Sequence, residues 1–275
     1  MSETEFDSFF EPYAGNVEGF YEASYWKLAD ELIKELVRRH LSVESGHHVL
    51  DAGGGTGRWA LWLAEQFDVE VTVADKSRAM LEEAKRNITE AGVSSVRLTE
   101  CDLHGAPELP DAGYDALIST YGVLSFLDDP AAAFDTFYRV LKPGGRGLLM
   151  SHSLSNAVSS KINRDGADAE EIRELLRTGI VKWAPNVPPL RVYSAQQLRD
   201  LAIGAGFTVE GVFGVTCMAL PGSEDFGYPY GELSAISKRL EDDDYLNALL
   251  EVELAAAERP EWAERGVNLM VKVRR

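Results

Sequence analysis

The sequence has only two cysteines, a shortage of basic residues and no long apolar run. Cys101 and Cys217 are far apart and belong to no CxxC or Cys/His spacing, so neither a zinc site nor a disulfide framework is indicated. We expect both to be buried. No apolar run is long enough to cross a bilayer. Residues 1–5 are acidic and lack the basic and apolar regions of a signal peptide. We therefore expect a cytoplasmic protein that does not act in a membrane.

The charge balance is strongly acidic. The chain has 45 Asp and Glu against 27 Lys and Arg, and its formal net charge is -18. A surface of this sign repels the phosphate backbones of RNA and DNA. We therefore expect no nucleic-acid partner.

Apolar strand patterns alternate with helix patterns along the chain, and no internal repeat is present. At 275 residues we expect one core domain with insertions. The predicted strands are 47–51, 70–75, 96–102, 115–120, 146–151, 207–220 and 267–273. The predicted helices are 58–66, 78–91, 130–141 and 195–206. This alternation predicts an α/β fold in which helices cover both faces of a parallel sheet.

Three segments lie outside the alternation, and we expect each to project from the sheet. They are the aromatic N-terminus, 1–41, and two insertions, 153–192 and 221–266. Ligands of doubly wound sheets bind at the carboxyl ends of the strands, where such segments form lids. We therefore predict an N-terminal aromatic helical lid at 1–41, followed by a core domain at 42–275 that carries both insertions.

The clearest motif is a strand that leads an acidic residue, Asp51, into the glycine turn Gly53–Gly57. Without Cβ atoms, such a turn lets the backbone approach a ligand closely while its N–H groups point outward. Asp75 ends the next strand, at about the separation expected of a carboxylate that binds ribose hydroxyls. A nicotinamide-binding turn requires glycine where Arg58 stands, which disfavours a dinucleotide.

Residues 49–145 resemble the class I S-adenosylmethionine-dependent methyltransferases. Five motifs in the family's order carry this resemblance: Asp51–Gly57, Asp75, Cys101–Leu103, Tyr114–Ser119 and Leu141–Gly145. The resemblance implies a Rossmann-like seven-stranded sheet of order 3-2-1-4-5-7-6 with helical lid insertions. It also implies that the cofactor is S-adenosyl-L-methionine.

The resemblance further implies which residues contact this cofactor. Around the methionine moiety these are Asp51, Gly53 and Gly55. Around the adenosine these are Asp75 at the ribose, Asp102 and Leu103 at the adenine, and Lys76 and Met80 at its flanks. Near the sulfonium these are Thr120, Tyr121 and Gly122. From the aromatic N-terminus, Tyr21 or Tyr25 is expected to face the sulfonium through cation-π attraction.

Transfer of methyl from a sulfonium is an in-line displacement that depends mainly on alignment and desolvation. A base adds to the rate when the acceptor is a weakly acidic hydroxyl or an ammonium. His152, just past the fifth strand at the ligand edge, is the histidine best placed for this role. The alternative is a hydrogen-bonded histidine at a strand end. No metal-ligand spacing is apparent, so we expect no metal requirement.

Together these features predict an S-adenosylmethionine-dependent methyltransferase that acts on oxygen or nitrogen of a small organic acceptor. Two alternatives stay open. One is a protein that binds the cofactor without transferring methyl, and the other is a peptide or protein methyltransferase. The sequence does not identify the acceptor or the oligomeric state.

Overall fold

The computed structural model describes residues 14–164, 166–183, 187–226 and 229–275. The strands in these ranges are β1 His48–Ala52, β2 Glu70–Asp75, β3 Val96–Glu100, β4 Tyr114–Ser119, β5 Leu141–His152, β6 Ile180–Val181, β7 Leu190–Arg191, β8 Thr208–Val215 and β9 Asn268–Arg274. The helices are α1 Ser24–His40, α2 Arg58–Phe67, α3 Arg78–Ala91, α4 Val123–Phe126, α5 Pro130–Val140, α6 Leu154–Asn163, α7 Ala169–Thr178, α8 Ala195–Gly204, α9 Ala235–Arg239, α10 Asp243–Ala257 and α11 Pro260–Ala263. Residues 1–13 of the predicted lid lie outside the described residues.

Seven strands form one sheet in the order β3-β2-β1-β4-β5-β9-β8. Its first five strands are parallel, whereas β9 runs antiparallel to both β5 and β8. The sheet is therefore mixed, and the prediction of a parallel sheet is wrong for the pairings of these last two strands. Counted among these seven strands alone, the order is 3-2-1-4-5-7-6, which confirms the predicted fold class. The sequence did not predict the antiparallel pair β6–β7, which lies within the insertion 153–192.

Local signals account for the ends of the helices. The Ser77 side chain accepts the Met80 N–H and caps α3, and Gly92 ends that helix at a φ of +66°. Asp129 caps α5, whose first residue is proline. Ser194 and Gln197 form a reciprocal capping box at the start of α8. These caps place the helices where the sequence predicted them.

Each face of the sheet is covered by its own apolar cluster. On one face α1 and α2 bury residues such as Leu32, Leu36 and Leu63 against β1, β2 and β5. On the other face α5 and α8 bury residues such as Phe134 and Leu198. The buried side of α1 is therefore part of the core, and the N-terminal end of this helix extends to the ligand edge. In the described part of the chain, no helix is long and apolar enough to span a membrane.

Strand β8 ends at Val215, five residues before the end of the predicted strand 207–220. Thr216 adopts a φ of +52° and turns the chain out of the sheet. The next three backbone N–H groups, at 217–219, donate to the fully buried carboxylate of Glu253 on α10 at 2.6, 2.9 and 2.5 Å. A carboxylate from the second insertion thus takes the hydrogen bonds that a continued strand would use.

Strand β5 begins earlier than predicted. Leu141, directly after α5, already pairs with Tyr114 of β4, and the register then shifts before Ala116. The Lys142–Gly145 turn predicted between helix and strand is therefore an irregular start of the strand.

Candidate cofactor and methyl-transfer site

The predicted site residues meet at one edge of the sheet, where the parallel strands end. The register sets Asp51 of β1 opposite Val73 of β2 and Ile118 of β4. The glycine turn after β1, Asp75 at the end of β2 and the turn after β4 therefore lie side by side. The Cys101 N–H donates to the Asp75 carbonyl at 3.0 Å and joins the end of β3 to this edge.

The glycine turn is tightly packed at Gly53 and Gly54 and open at Gly55. A Cβ on Gly53 would lie 2.5 Å from the Val123 side chain, and one on Gly54 would lie 2.6 Å from the Asp51 carboxyl carbon. A Cβ on Gly55 would have no neighbour within 4 Å. Gly53 and Gly55 have φ values of +70° and +53°, which favour glycine. The turn can thus lie under a ligand without obstructing it.

Asp51 is fully buried, and neither of its carboxylate oxygens has a hydrogen-bond partner among the described residues. Burial, followed by the neighbouring charge of Asp75, raises the pKa of Asp51 to about 7. The Ala60 backbone N–H, which lies near the carboxylate without forming a hydrogen bond of normal geometry, only partly opposes this rise in pKa. Buried polar groups are normally paired. A ligand that brings a cation or N–H donors would supply what Asp51 lacks, and the ammonium of a methionine moiety has this chemistry.

Asp75 is held at the rim of the turn by backbone N–H groups. Gly55 donates to Oδ2 at 2.9 Å and Ser77 donates to Oδ1 at 2.8 Å. Burial raises the pKa of Asp75, and the N–H groups of Ser77, Gly55 and Lys76 oppose that rise. A carboxylate has about four lone-pair sites, so acceptor capacity remains for a ribose hydroxyl.

The adenine side of the predicted site contains a charged residue held by hydrogen bonds. Asp102 accepts from Lys76 Nζ at 2.9 Å and from the His104 backbone N–H at 3.0 Å. Burial alone would raise the pKa of Asp102, but Lys76 and His104 lower it to about 2. Leu103 and Met80 are both buried, in two different apolar clusters.

The turn after β4 contacts the end of β5. Thr120 is buried, and Tyr121 and Gly122 have φ values of +49° and +82°. The His152 imidazole lies against Gly122. The backbone N–H of His152 donates to Ser125 Oγ at 3.0 Å. Burial, opposed by the side chain of Asn268, lowers the pKa of His152 to about 4. The imidazole is therefore neutral at pH 7.

The two candidate tyrosines of the N-terminal segment are placed differently. The Tyr21 ring lies 4.7 Å from the Tyr121 ring and 5.8 Å from Trp26, beside the turn after β4. Tyr25 is 1% exposed, and its hydroxyl lies 2.6 Å from Thr216 Oγ1. Tyr21 thus joins the other candidate site residues, whereas Tyr25 anchors α1 to the end of β8.

Sequence reasoning missed an ion pair at the same edge. Asp30 of α1, 3% exposed, accepts hydrogen bonds from Arg58 and from the Tyr121 hydroxyl. One signal was available, because Asp30 lies among the residues Ala29, Leu32 and Ile33 of the apolar face of α1. A lone carboxylate in that position requires a partner.

The same region of the chain matches a known family. Residues 49–145 match the family described as a methyltransferase domain. The tRNA 5-carboxymethoxyuridine methyltransferase of Escherichia coli (strain K12) is 30% identical over 159 residues, which cover 56% of this chain and 58% of that protein. Phosphoethanolamine N-methyltransferase 1 of Arabidopsis thaliana is 31% identical over 149 residues, which cover 52% of this chain and 29% of that protein. The chain thus matches less than two thirds of the length of either relative.

Solved structures share the architecture over more of the chain. The crystal structure of the [4+2]-cyclase SpnF aligns with a TM-score of 0.59 and 22% identity, over 92% of this chain and 83% of that one. At this identity the likeness shows the fold.

Proposed function

Because residues 49–145 match a methyltransferase domain, we propose that the chain is a class I enzyme that transfers methyl from S-adenosyl-L-methionine to oxygen or nitrogen of a small organic acceptor. The observation that carries the proposal is the buried carboxylate of Asp51, which lies against Gly54 of the glycine turn and has no hydrogen bond among the described residues. S-adenosyl-L-methionine is the cofactor of this family, and its ammonium, ribose hydroxyls and adenine match Asp51, Asp75 and Asp102 respectively.

The bound cofactor would supply a methyl group on a sulfonium, for in-line displacement by the acceptor. The chain's residues align and desolvate the two reactants. The glycine turn and the turn after β4 fix the position of the cofactor between them. The aromatic rings of Tyr21, Trp26 and Tyr121 exclude water from the N-terminal side.

His152 is the proposed base for an acceptor that carries a proton. Its imidazole is neutral at pH 7 and lies against Gly122, at the turn expected near the sulfonium. As the methyl–sulfur bond breaks and the bond from methyl to the acceptor forms, the acceptor's proton would pass to the imidazole. The cofactor would leave as the neutral thioether.

Three observations favour a small acceptor. The net charge of -18 opposes RNA and DNA, although one relative is named as a tRNA methyltransferase. In addition, the N-terminal segment contacts the glycine turn directly, through a 2.6 Å hydrogen bond from Thr56 Oγ1 to Glu18. This contact narrows the space available to a large partner. A second relative is named for a small acceptor, phosphoethanolamine.

A non-methylating role is the second candidate. A protein named as a cyclase shares this fold over 92% of the chain, so the architecture is compatible with other chemistry. The residues of the cofactor site would be the same in a methyltransferase and in a protein that binds the cofactor without transferring methyl.

The test has two stages. Isothermal titration with S-adenosylhomocysteine first measures cofactor binding by the wild type and by Asp51→Asn. Methyl-labelled S-adenosylmethionine is then incubated with fractionated extract of the source organism, and labelled products are identified by mass spectrometry. A labelled small molecule that is absent with Asp51→Asn supports the proposal. Cofactor binding without any labelled product supports the non-methylating role, and labelled RNA would refute the choice of acceptor.

A further inference from the structure

We propose that Asp30 is a positioning residue that couples the docking of the N-terminal segment, residues 18–30, to cofactor binding. It does so by holding Arg58 and Tyr121, which belong to the two neighbouring turns of the cofactor site. The inference rests on the proposed function, because it assigns Asp30 to binding of the same cofactor. Asp30 itself is not expected to touch the cofactor.

The geometry joins three separate elements at one carboxylate. Asp30 lies on α1, Arg58 is the first residue of α2 directly after the glycine turn, and Tyr121 follows β4. One carboxylate oxygen accepts from Arg58 Nη2 and the other accepts from the Tyr121 hydroxyl. The N-terminal segment is thereby linked to both turns that form the cofactor site.

Packing alone does not explain this arrangement. Burial raises the pKa of Asp30, and the charge of Arg58 and the hydrogen bond from Tyr121 only partly oppose that rise. A buried ion pair contributes little net stability compared with apolar residues of similar size. Arg58 also lies at the N-terminus of α2, where the helix dipole disfavours a cation. The pair is better explained by the geometry that it imposes.

Tyr121 is the residue whose position this pair controls. Its φ of +49° is uncommon for a bulky side chain and requires support from its surroundings. The hydrogen bond to Asp30 and the ring contact with Tyr21 provide that support. The next residue, Gly122, lies against His152. A displaced Tyr121 would therefore disturb the turn expected near the sulfonium.

A second set of contacts links the same segment to the glycine turn. Thr56 Oγ1 donates to Glu18 at 2.6 Å, and Arg58 Nε lies 3.7 Å from the same carboxylate. The Arg58 guanidinium lies 5.0 Å from the centre of the Tyr21 ring. If docking of the segment favours cofactor binding, the cofactor must favour docking by the same factor.

The experiment measures S-adenosylhomocysteine affinity by isothermal titration, and thermal unfolding of the protein without cofactor. Asp30→Asn, Tyr121→Phe and the double variant are compared with the wild type. The control is Glu31→Gln, which removes one charge from the next residue of α1, where Glu31 forms a surface pair with Lys34. We expect the Kd to rise about tenfold in each single variant, because each weakens a charge-assisted hydrogen bond. The Kd of the control should stay within about twofold of the wild type.

Non-additivity separates positioning from general damage. If Asp30 acts through Tyr121, the double variant should bind no more than about twofold more weakly than Asp30→Asn. Limited proteolysis gives a second measure. S-adenosylhomocysteine should protect the N-terminal segment of the wild type from cleavage, but it should not protect that segment in Asp30→Asn. The inference would be overturned if the losses of S-adenosylhomocysteine affinity were additive in the double variant, or if both single variants kept wild-type affinity.

Three further outcomes are informative. If Asp30→Asn does not fold, Tyr121→Phe decides the question, since it removes one oxygen and keeps the ion pair. Wild-type affinity and protection in that variant would overturn the inference. If the wild type does not bind S-adenosylhomocysteine, the proposed function fails first, and the inference fails with it. Loss of thermal stability at unchanged affinity would show that Asp30 is purely structural.

Discussion

The imidazole of His152 lies so close to Gly122 that a Cβ on this glycine would be 2.6 Å from Nε2. This contact joins the turn after β4 to the end of β5. The candidate base and the turn that lines the cofactor site therefore have a fixed relative position. A residue larger than glycine would displace one of them.

Gly122→Ala should destabilise the protein by about 1–3 kcal/mol, because it adds a clash with His152 to the strain of a φ of +82°. The control is Gly46→Ala, which has a similar φ of +79° but no atom within 4 Å of the added Cβ. Thermal unfolding should show a clearly larger loss at Gly122. Equal losses would mean that His152 moves aside without cost.

His152→Gln should lower kcat if the imidazole accepts the acceptor's proton. Because a pKa of about 4 makes His152 a weak base, the loss should be about tenfold rather than the roughly 100-fold expected of a base with a pKa near 7. S-adenosylhomocysteine affinity should stay within about twofold, since no cofactor contact is assigned to His152. Because the pKa of His152 is lowered to about 4, the rate should show no step near pH 6.5 from this residue. Undiminished kcat would identify His152 as a hydrogen-bonded residue of the strand end.

Asp51 should make both stability and cofactor binding depend on pH. Its pKa is raised to about 7, so its contribution to apo stability is complete below the unfolded-state pKa, about 4, and is lost as pH rises through about 7. A cationic ligand requires the ionised form, which becomes about tenfold more populated between pH 6 and pH 8. We therefore expect S-adenosylhomocysteine to bind about tenfold more tightly at pH 8.

Asp51→Asn is the matching control for this pH dependence. It should remove most of the change in affinity between pH 6 and pH 8, and weaken binding at pH 8 by at least about tenfold. Titration calorimetry and thermal unfolding at both pH values measure the two effects. The same pH dependence in Asp51→Asn would assign it to another group.

Glu253→Gln should destabilise the protein by about 2–3 kcal/mol, because the carboxylate accepts three backbone N–H groups in a fully buried position. The amide nitrogen of glutamine would face at least one of these donors. Glu251→Gln, at an exposed position of the same helix, is the control. Urea unfolding measures both, and a similar midpoint for the two variants would contradict the prediction.

Methyl transfer should continue in the presence of EDTA. Within the described ranges, no group of three or more His, Cys, Asp and Glu is placed to hold a metal ion. Once an acceptor is known, the rate with EDTA should match the rate with added magnesium. Activity that is lost in EDTA and restored by one divalent ion would overturn this prediction.

Local signals predicted much of the cofactor half of the chain. The second strand, 70–75, and the helix that follows it, 78–91, were predicted with the observed bounds. Ser77 caps the start of this helix and Gly92 caps its end. Both residues are directly next to the helix in the sequence, so local patterns can identify them. The strand order came instead from the family resemblance, since periodicity alone does not specify which strands pair.

Local sequence patterns did not predict the polar contacts between distant parts of the chain. The sequence predicted strand 207–220 because its residues are apolar, but Glu253 takes the N–H groups after Val215 and ends the strand. The β6–β7 pair was missed because each strand has only two residues, too few for a periodic pattern.

The sequence by itself determined the glycine turn, the acidic residues at the strand ends and the helices between them, because each depends on residues close together in the chain. Tertiary structure alone decided that Asp51 has no hydrogen bond within the part of the chain that the structure describes, that Tyr25 contacts Thr216, and that Asp30 binds Arg58 and Tyr121. A hydrophobic pattern shows which face of a helix is buried. It does not show which polar groups meet there, because residues as far apart as Asp30 and Tyr121 become neighbours only when the whole sheet has formed.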